Sequence, residues 1–450
     1  MGDLRDREHR YLWHPFTQMG DWLDSEPLTI ERGEGNYLID TEGNHYLDGI
    51  SSMWVNMHGH DHPTIRRRIH EQLDKLPHST LLGLASPPSI ELAERLVKLA
   101  PAGLQRVFFS DNGSTAMEIA LKMAFQFFAQ SEDAADRKRT RFIALKDAYH
   151  GDTLGAVSVG GIDTFHTAFG PLTFDVLRAE NAPCYRCPHD LKFPKCNIHC
   201  LQSLEGLLGE YGDEVVAVVT EPLIQAPGGM ILLPDGWLAR VRELCDRHGT
   251  LLIVDEVATG FGRTGRMFAC EHENVTPDLM ALAKGITGGF LPLAATLATE
   301  RIFEGFLAPV SQGRQFFHGH SYTGNALGCA AALGNLDVYE EENVLERVRG
   351  TSAYLAERLE SLRRLPAVGD IRQRGLMVGV ELVSDRATRE RFDPAERVGH
   401  LVCMGARKYG VILRPLGDTV VVMPPLSVTR DQIDVLVDVL DRCIIEITGE

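Results

Sequence analysis

The stretch LLIVDEVATGFGRTG, Leu251 to Gly265, carries two features that point to different chemistries. Its glycines fall as Gly260-x-Gly262-x-x-Gly265 after an apolar run, the spacing of a dinucleotide-binding turn. It also sets Asp255 and Glu256 directly behind LLIV, a run short enough to be a buried strand. A dinucleotide turn needs its first glycine at the strand end and an amphipathic helix straight after its last, so that the helix N-terminus meets the pyrophosphate. Here DEVAT intervenes, RMFACEHENVTPD has no helical stripe before Pro277, and two carboxylates would repel a pyrophosphate. The carboxylates therefore carry the chemistry, and a dehydrogenase reading is set aside.

Asp255 at the end of a central strand needs a positive partner, because a lone buried carboxylate is costly. An N-cap or an ion pair with an arginine such as Arg263 would satisfy it. So would a cofactor with a protonatable ring nitrogen, and pyridoxal phosphate is one: the carboxylate keeps the nitrogen protonated and the ring an electron sink. That cofactor requires a lysine to hold it, donors for a phosphate and a flat group against its ring. ALAKGITGGF supplies Lys284, flanked by Gly285, Gly288 and Gly289, which allow close backbone approach. SDNGSTAMEIALKMAFQFF has apolar residues at helical spacing and Glu118 and Lys122 at i, i+4, which places Gly113 and Ser114 at a helix N-terminus. Free N–H groups make that an anion site, although an ordinary capped helix would read the same way. KDAYHGDT follows the apolar RFIAL and sets Tyr149 at another strand end, as a stacking face or as a core tyrosine.

Outward from these segments, RVFFS (Arg106 to Ser110), RFIAL (Arg141 to Leu145), VVAVV (Val215 to Val219) and LLIV (Leu251 to Val254) alternate with helical patterns. This is the signature of an α/β domain with a mostly parallel sheet, expected over residues 61–330. Past Gly328 the chain reads as one long helix, AALGNLDVYEEENVLERV, followed by the strand-like VGDIRQRGLMVGVELV and YGVILRPLGDTVVVMPPL. Residues 1–60, with a hairpin around Glu42-Gly43 in YLIDTEGNHYLD, are expected to join residues 331–450 in a smaller α+β domain.

The 450 residues, 44% hydrophobic and 24% charged, suit a globular enzyme. A net charge of −17 argues against nucleic acid or an acidic membrane surface as partner. With no secretory leader pattern and no apolar run of membrane-spanning length, the cytoplasm is the expected compartment. Five of the nine cysteines are scattered, whereas Cys184-x2-Cys187-x8-Cys196-x3-Cys200 cluster in APCYRCPHDLKFPKCNIHC. Structural zinc or an iron–sulfur centre would use such spacing; reduced thiols or disulfides in a surface insertion are the alternatives.

With WHPFTQM, ISSMWVNMHGH, SDNGSTAMEIALKMA, AYHGDT, IVDEVATGFGRTG, KGITGG, HGHSYTGN and LRPLGD, the chain resembles, over nearly its full length, the class III (subgroup II) aminotransferases of the fold-type-I pyridoxal-phosphate superfamily. The likeness is greatest to members that aminate 8-amino-7-oxononanoate in biotin biosynthesis. The resemblance implies that Lys284 carries the cofactor covalently, Asp255 binds its ring nitrogen, Gly113 and Ser114 hold its phosphate, and Val257 and Tyr149 enclose the ring. It further implies an obligate homodimer in which His320 and Ser321 complete the neighbouring subunit's phosphate site. Gly319 and Arg414 then match substrate-contacting positions, Arg414 facing a carboxylate. The activity implied is a two-stage, ping-pong amino transfer, with S-adenosylmethionine or lysine as donor. Phe16 stands where many members have tyrosine, Met53 where many have the first of two tryptophans, while Trp54 is retained; these substrate-site positions bear on the donor. Two other readings remain: an aminotransferase for another ω-amine (4-aminobutyrate, ornithine or β-alanine), and a metal-binding regulatory protein on an idle aminotransferase scaffold.

Overall fold

The computed structural model describes residues 2–449. Its centre is a seven-stranded sheet in the order Leu104–Ser110, Ala294–Thr299, Leu279–Leu282, Leu251–Asp255, Val215–Thr220, Arg141–Leu145, Val176–Ala179. Only Ala294–Thr299 runs against its neighbours; the pairings from Leu279–Leu282 through to Val176–Ala179 are parallel. VVAVVT and LLIVD are buried along their whole length, the pattern of strands covered on both faces. All four runs read as strands from the sequence lie in this sheet. Asp255 and Glu256 thus come at the carboxyl end of its middle strand, and the turns after Ser110, Leu145 and Thr220 open at the same edge.

The helix Gly113–Ala129 packs across the sheet and starts where the glycine-serine pair predicted it would. Asn112 caps it, its side chain accepting from the Thr115 N–H while Thr115 reaches back to the Asn112 N–H. The expected pairing of Glu118 with Lys122 is not made. Lys122 Nζ lies 3.0 Å from His318 Nδ1, and Glu118 turns toward Thr153.

The two ends of the chain meet in a second sheet, in the order Ile30–Glu34, Tyr37–Asp40, His45–Asp48, Val411–Ile412. The hairpin at Glu42-Gly43 forms, with the Asp40 carboxylate accepting from the Glu42 and Asn44 amides and Gly43 at φ +86°. Val368–Arg374, Met377–Leu382, Thr419–Val422 and Arg414–Leu416 form a third, antiparallel sheet. The single long helix expected past Gly328 is two, Ala326–Glu341 and Val344–Leu359, broken at Asn343 with φ +48°.

The cysteine-bearing segment lies against the third sheet. Arg186 Nε donates to Glu381 Oε1 at 2.6 Å, and Arg389 Nη1 to the Tyr185 carbonyl at 2.6 Å. All nine cysteines are free thiols. Cys184, Cys187, Cys196 and Cys200 are near enough for their charges to interact, and burial with these neighbours pushes the Cys200 thiol up to about 11. Yet among the described residues no three His, Cys, Asp or Glu side chains are disposed to hold a metal ion. Zinc or an iron–sulfur centre thus finds no support here. Among the described residues no helix is long and apolar enough to cross a membrane.

Candidate active site

A cavity of about 520 Å³ opens at the carboxyl edge of the central sheet. Gly113, Ser114, Tyr149, Asp255, Val257 and Lys284, drawn from four separate stretches of sequence, all line it. At one end Ser114 and the first amides of the helix Gly113–Ala129 face the space, a donor set for an anion. Val257 packs so closely on Gly113 that a Cβ there would come within 2.7 Å of Val257 Cγ1, so only glycine leaves room for the cradle.

Asp255 has a partner that spacing did not show. Its Oδ2 accepts from His150 Nδ1 at 2.7 Å and its Oδ1 from the Val257 N–H at 3.0 Å. His150 is buried, and among the described residues its Nε2 has no hydrogen-bond partner. Arg263 is not paired with Asp255. Its guanidinium donates instead to the carbonyls of Pro424, Asn56 and Trp54, at 2.5, 2.9 and 3.4 Å.

Burial holds the Lys284 ammonium below the usual lysine range, with the charges of Asp255 and Glu221 pulling the other way. Lys284 Nζ sits 5.1 Å from the centre of the Trp54 ring. Glu221 is buried beside them and accepts from the Tyr149 and Ala226 amides. Burial, reinforced by the charge of Asp255, raises its carboxyl well above the ordinary range, against the two amide hydrogen bonds that favour its charged form. The Tyr149 hydroxyl donates to Asp152 Oδ2 at 2.7 Å, and burial followed by that contact raises its pKa.

The substrate-side positions lie around this cavity rather than in its wall. Phe16 is exposed and meets Phe165 edge-on at 5.3 Å, and Phe165 meets Tyr149 in turn at 6.1 Å. Met53 is exposed and Trp54 buried. Arg414 begins a strand of the third sheet, half-buried, and its charge is felt at the Tyr149 hydroxyl. Gly319, His320 and Ser321 belong to a loop outside the cavity wall; His320 Nε2 is 3.9 Å from Asp111 Oδ1, at the rim, and Ser321 is exposed.

His150 and Glu221 are the residues that sequence reasoning missed. Both stood in view: His150 is next to Tyr149 in AYHGDT, and Glu221 closes VVAVVT much as Asp255 closes LLIV. A carboxylate, a buried amine, an anion cradle and an aromatic face in one cavity fit pyridoxal phosphate in donor chemistry. The collision that any Cβ at Gly113 would meet shows that the cradle is built around close approach.

The family model for class-III aminotransferases matches residues 19–444. The chain is 56% identical over 445 residues to the adenosylmethionine-8-amino-7-oxononanoate aminotransferase of Nitratidesulfovibrio vulgaris, covering 99% of this chain and 82% of that protein. It is 52% identical over 447 residues to the enzyme of the same name from Geobacter sulfurreducens, covering 99% and 98%. Among solved structures it is similar to the adenosylmethionine-8-amino-7-oxononanoate aminotransferase of Methanocaldococcus jannaschii, with a TM-score of 0.94, 43% identity and 99% of each chain covered. A PLP-bound amine transaminase from an uncultivated Pseudomonas species aligns with a TM-score of 0.93 at 38% identity, over 97% of this chain and 99% of that one.

Proposed function

The chain belongs to the class-III aminotransferases, pyridoxal-phosphate-dependent enzymes, and from that premise we propose that it aminates 8-amino-7-oxononanoate in biotin biosynthesis. The observation that carries the proposal is the convergence of Asp255, Lys284 and the Gly113-Ser114 helix end on one cavity, in a chain whose full-length relatives bear that activity in their names. We read residues 61–330 as the cofactor-binding domain and the two terminal segments as one smaller domain.

When bound, pyridoxal phosphate supplies an electron sink for the carbon that gives up or receives the amine. Asp255, oriented by His150 and the Val257 amide, keeps a proton on the ring nitrogen. Lys284 would hold the cofactor covalently until the donor amine displaces it; the freed Nζ, whose ammonium burial disfavours, would then take the proton from the donor's carbon and later return one to the acceptor's. Ser114 and the helix amides would bind the phosphate, Val257 and Tyr149 would flank the ring, and Glu221 stands buried beside Asp255 with its carboxyl shifted upward. Arg414 receives the substrate carboxylate in a fork that lysine could not offer. The free thiols suit a reducing compartment, the cytoplasm. Leu82, Leu84, Phe317 and Tyr322 stand exposed on either side of the Gly319–Ser321 loop, which supports a homodimer in which that loop serves the partner's site.

The deciding experiment is a donor screen with 8-amino-7-oxononanoate as acceptor. Turnover with S-adenosylmethionine or lysine is expected; turnover confined to acceptors of the 4-aminobutyrate, ornithine or β-alanine type would overturn the proposal. Phe16 and Met53 favour lysine as a second donor reading. A sulfonium carrying an adenosine gains from aromatic faces and a phenol hydroxyl; Phe16 lacks the hydroxyl and Met53 the indole, each loss costing roughly 0.5–2 kcal/mol. The double variant Phe16→Tyr/Met53→Trp should therefore raise kcat/KM for S-adenosylmethionine relative to lysine by about tenfold or more. An unchanged ratio would show that these two positions do not select the donor.

A further inference from the structure

We infer that Glu118 is a positioning residue for the cofactor's phosphate, acting through Thr153 on the hydroxyl of Ser114. The inference rests on the reading that Ser114 binds that phosphate. Ser114 lines the cavity, whereas Thr153 and Glu118 stand behind it, outside the wall. The Thr153 N–H donates to Ser114 Oγ at 2.8 Å, and the two hydroxyl oxygens are 2.9 Å apart. Thr153 Oγ1 in turn donates to Glu118 Oε2 at 2.8 Å, and the same oxygen accepts from the Ala156 N–H at 3.2 Å.

The direction of the protons follows from what each group can do. A carboxylate only accepts, so the single hydroxyl proton of Thr153 is committed to Glu118. Ser114 Oγ already accepts from the Thr153 amide. Ser114 therefore cannot accept from the Thr153 hydroxyl and is fixed as a donor, its one proton shared between Thr153 Oγ1 at 2.9 Å and an anion in the cavity, whose charge makes it the stronger acceptor. With Glu118 removed, the Thr153 hydroxyl is free to turn, and nothing fixes Ser114 as a donor.

The backbone is shaped around this relay. A Cβ at Gly151, which has φ +116°, would meet Ser114 Oγ at 2.4 Å; one at Gly155 would meet Glu118 Oε1 at 2.5 Å. Two glycines of the segment HGDTLG thus make room for the two ends of the relay. A carboxylate needed only to cap the helix Leu154–Val159 through the Ala156 amide would not call for a hydroxyl between it and the cavity.

The test compares the affinity of the cofactor-free protein for pyridoxal phosphate and for pyridoxal, which lacks the phosphate, by absorbance titration. Glu118→Ala and Thr153→Val should each weaken pyridoxal phosphate by about tenfold or more and leave pyridoxal unchanged, as loss of an aligned charge-assisted donor implies. The double variant should be no worse than the weaker-binding single one, because both break the same relay. Unchanged affinity for pyridoxal phosphate, or a parallel loss for pyridoxal, overturns the inference, the second by showing a merely structural role. If Glu118→Ala does not fold, Thr153→Val decides, since it removes one hydroxyl at constant shape. Ser114→Ala separates the two levels. If it weakens pyridoxal phosphate while the relay variants do not, the relay alone falls; if it too has no effect, the reading of Ser114 as the phosphate donor falls with it.

Discussion

At the scale of single residues, the site rests on how burial changes the charge of a few groups. Lys284 sits where its ammonium is disfavoured, which suits a group that must exchange a proton. Lys284→Ala should abolish turnover, and single-turnover conversion of the cofactor at near wild-type rate would refute its role. Asp255→Asn should retain the cofactor yet lose most activity, because a neutral amide no longer favours the protonated ring; an unchanged kcat would exclude Asp255 as the ring's partner. A stability consequence also follows for the cofactor-free protein. The lysine pKa is lower folded than unfolded, so between those values the unfolded chain binds more protons and stability rises with pH. Below that window the full penalty applies. Lys284→Met should therefore be more stable than wild type at neutral pH, with the advantage shrinking as pH climbs toward the free-lysine value near 10.5. Melting temperatures across pH check this, and a constant difference would contradict it. Asp255, Lys284, Ser114 and Tyr149 were legible in the sequence because each follows a strand end or sits in a glycine-rich turn. His150 as partner to Asp255 was not, since 105 residues separate them and only the folded sheet brings them together.

At the scale of elements, the segment before the first long helix is the least expected part of the fold. Ser51, Ser52, Met53 and Trp54 all have positive φ, at 51°, 46°, 69° and 72°. Four successive left-handed residues, none a glycine, cost roughly 1–2 kcal/mol each. Side chains hold the turn. The buried Asp48 carboxylate accepts from the Ile50 N–H, the Ser52 N–H and the Ser52 hydroxyl at 3.3, 3.0 and 2.8 Å, Ser51 Oγ donates to the Met423 carbonyl at 2.6 Å, and Arg263 binds the carbonyls of Trp54 and Asn56. The turn is what brings Trp54 against Lys284. Asp48→Ala should cost about 1–3 kcal/mol by leaving buried donors unmatched, and lower kcat by loosening the Trp54 contact. Urea unfolding alongside steady-state kinetics tests both; wild-type values in each would mean that the turn holds itself. No local pattern in ISSMWVN announces this conformation, because only Asp48 among its stabilisers is close by, while Arg263 and Met423 reach it from 207 and 372 residues away. The break at Asn343 was hidden for the opposite reason: the glutamates around it are good helix formers, and only the αL tolerance of asparagine marked the stop.

At the scale of the molecule, the apolar runs alone gave the mostly parallel sheet, and with it the edge where ligands bind. The reversed strand Ala294–Thr299, just past Lys284, could not be read from them, since a fully buried run carries no sign of its direction. The sequence likewise gives no hint of how much apolar surface the folded chain leaves uncovered. Leu82 is 90% exposed, Val310 89% and Phe317 76%. They do not stand singly: the His78 and Tyr322 rings are 4.7 Å apart, Asn325 Nδ2 donates to the Pro77 carbonyl, and Leu81 packs at Gly324. The segment around residues 77–84 and the loop bearing His320 and Ser321 are thus one surface, continuous with the rim of the cavity at Asp111. A patch of this kind marks an interaction surface, and in the proposed homodimer a second copy would cover it with its own equivalent residues about a twofold axis. Among the described residues the cradle's wall has no basic side chain apart from Lys284, which feels the charge of Asp255, and His150, which is hydrogen-bonded to it, so donors arriving with a partner's loop would strengthen it. Leu82→Asp and Phe317→Asp should each shift the protein from dimer to monomer by light scattering and weaken pyridoxal phosphate binding together with it, although neither residue lines the cavity. Monomers that bind the cofactor as tightly as wild type would show that the site is complete within one chain.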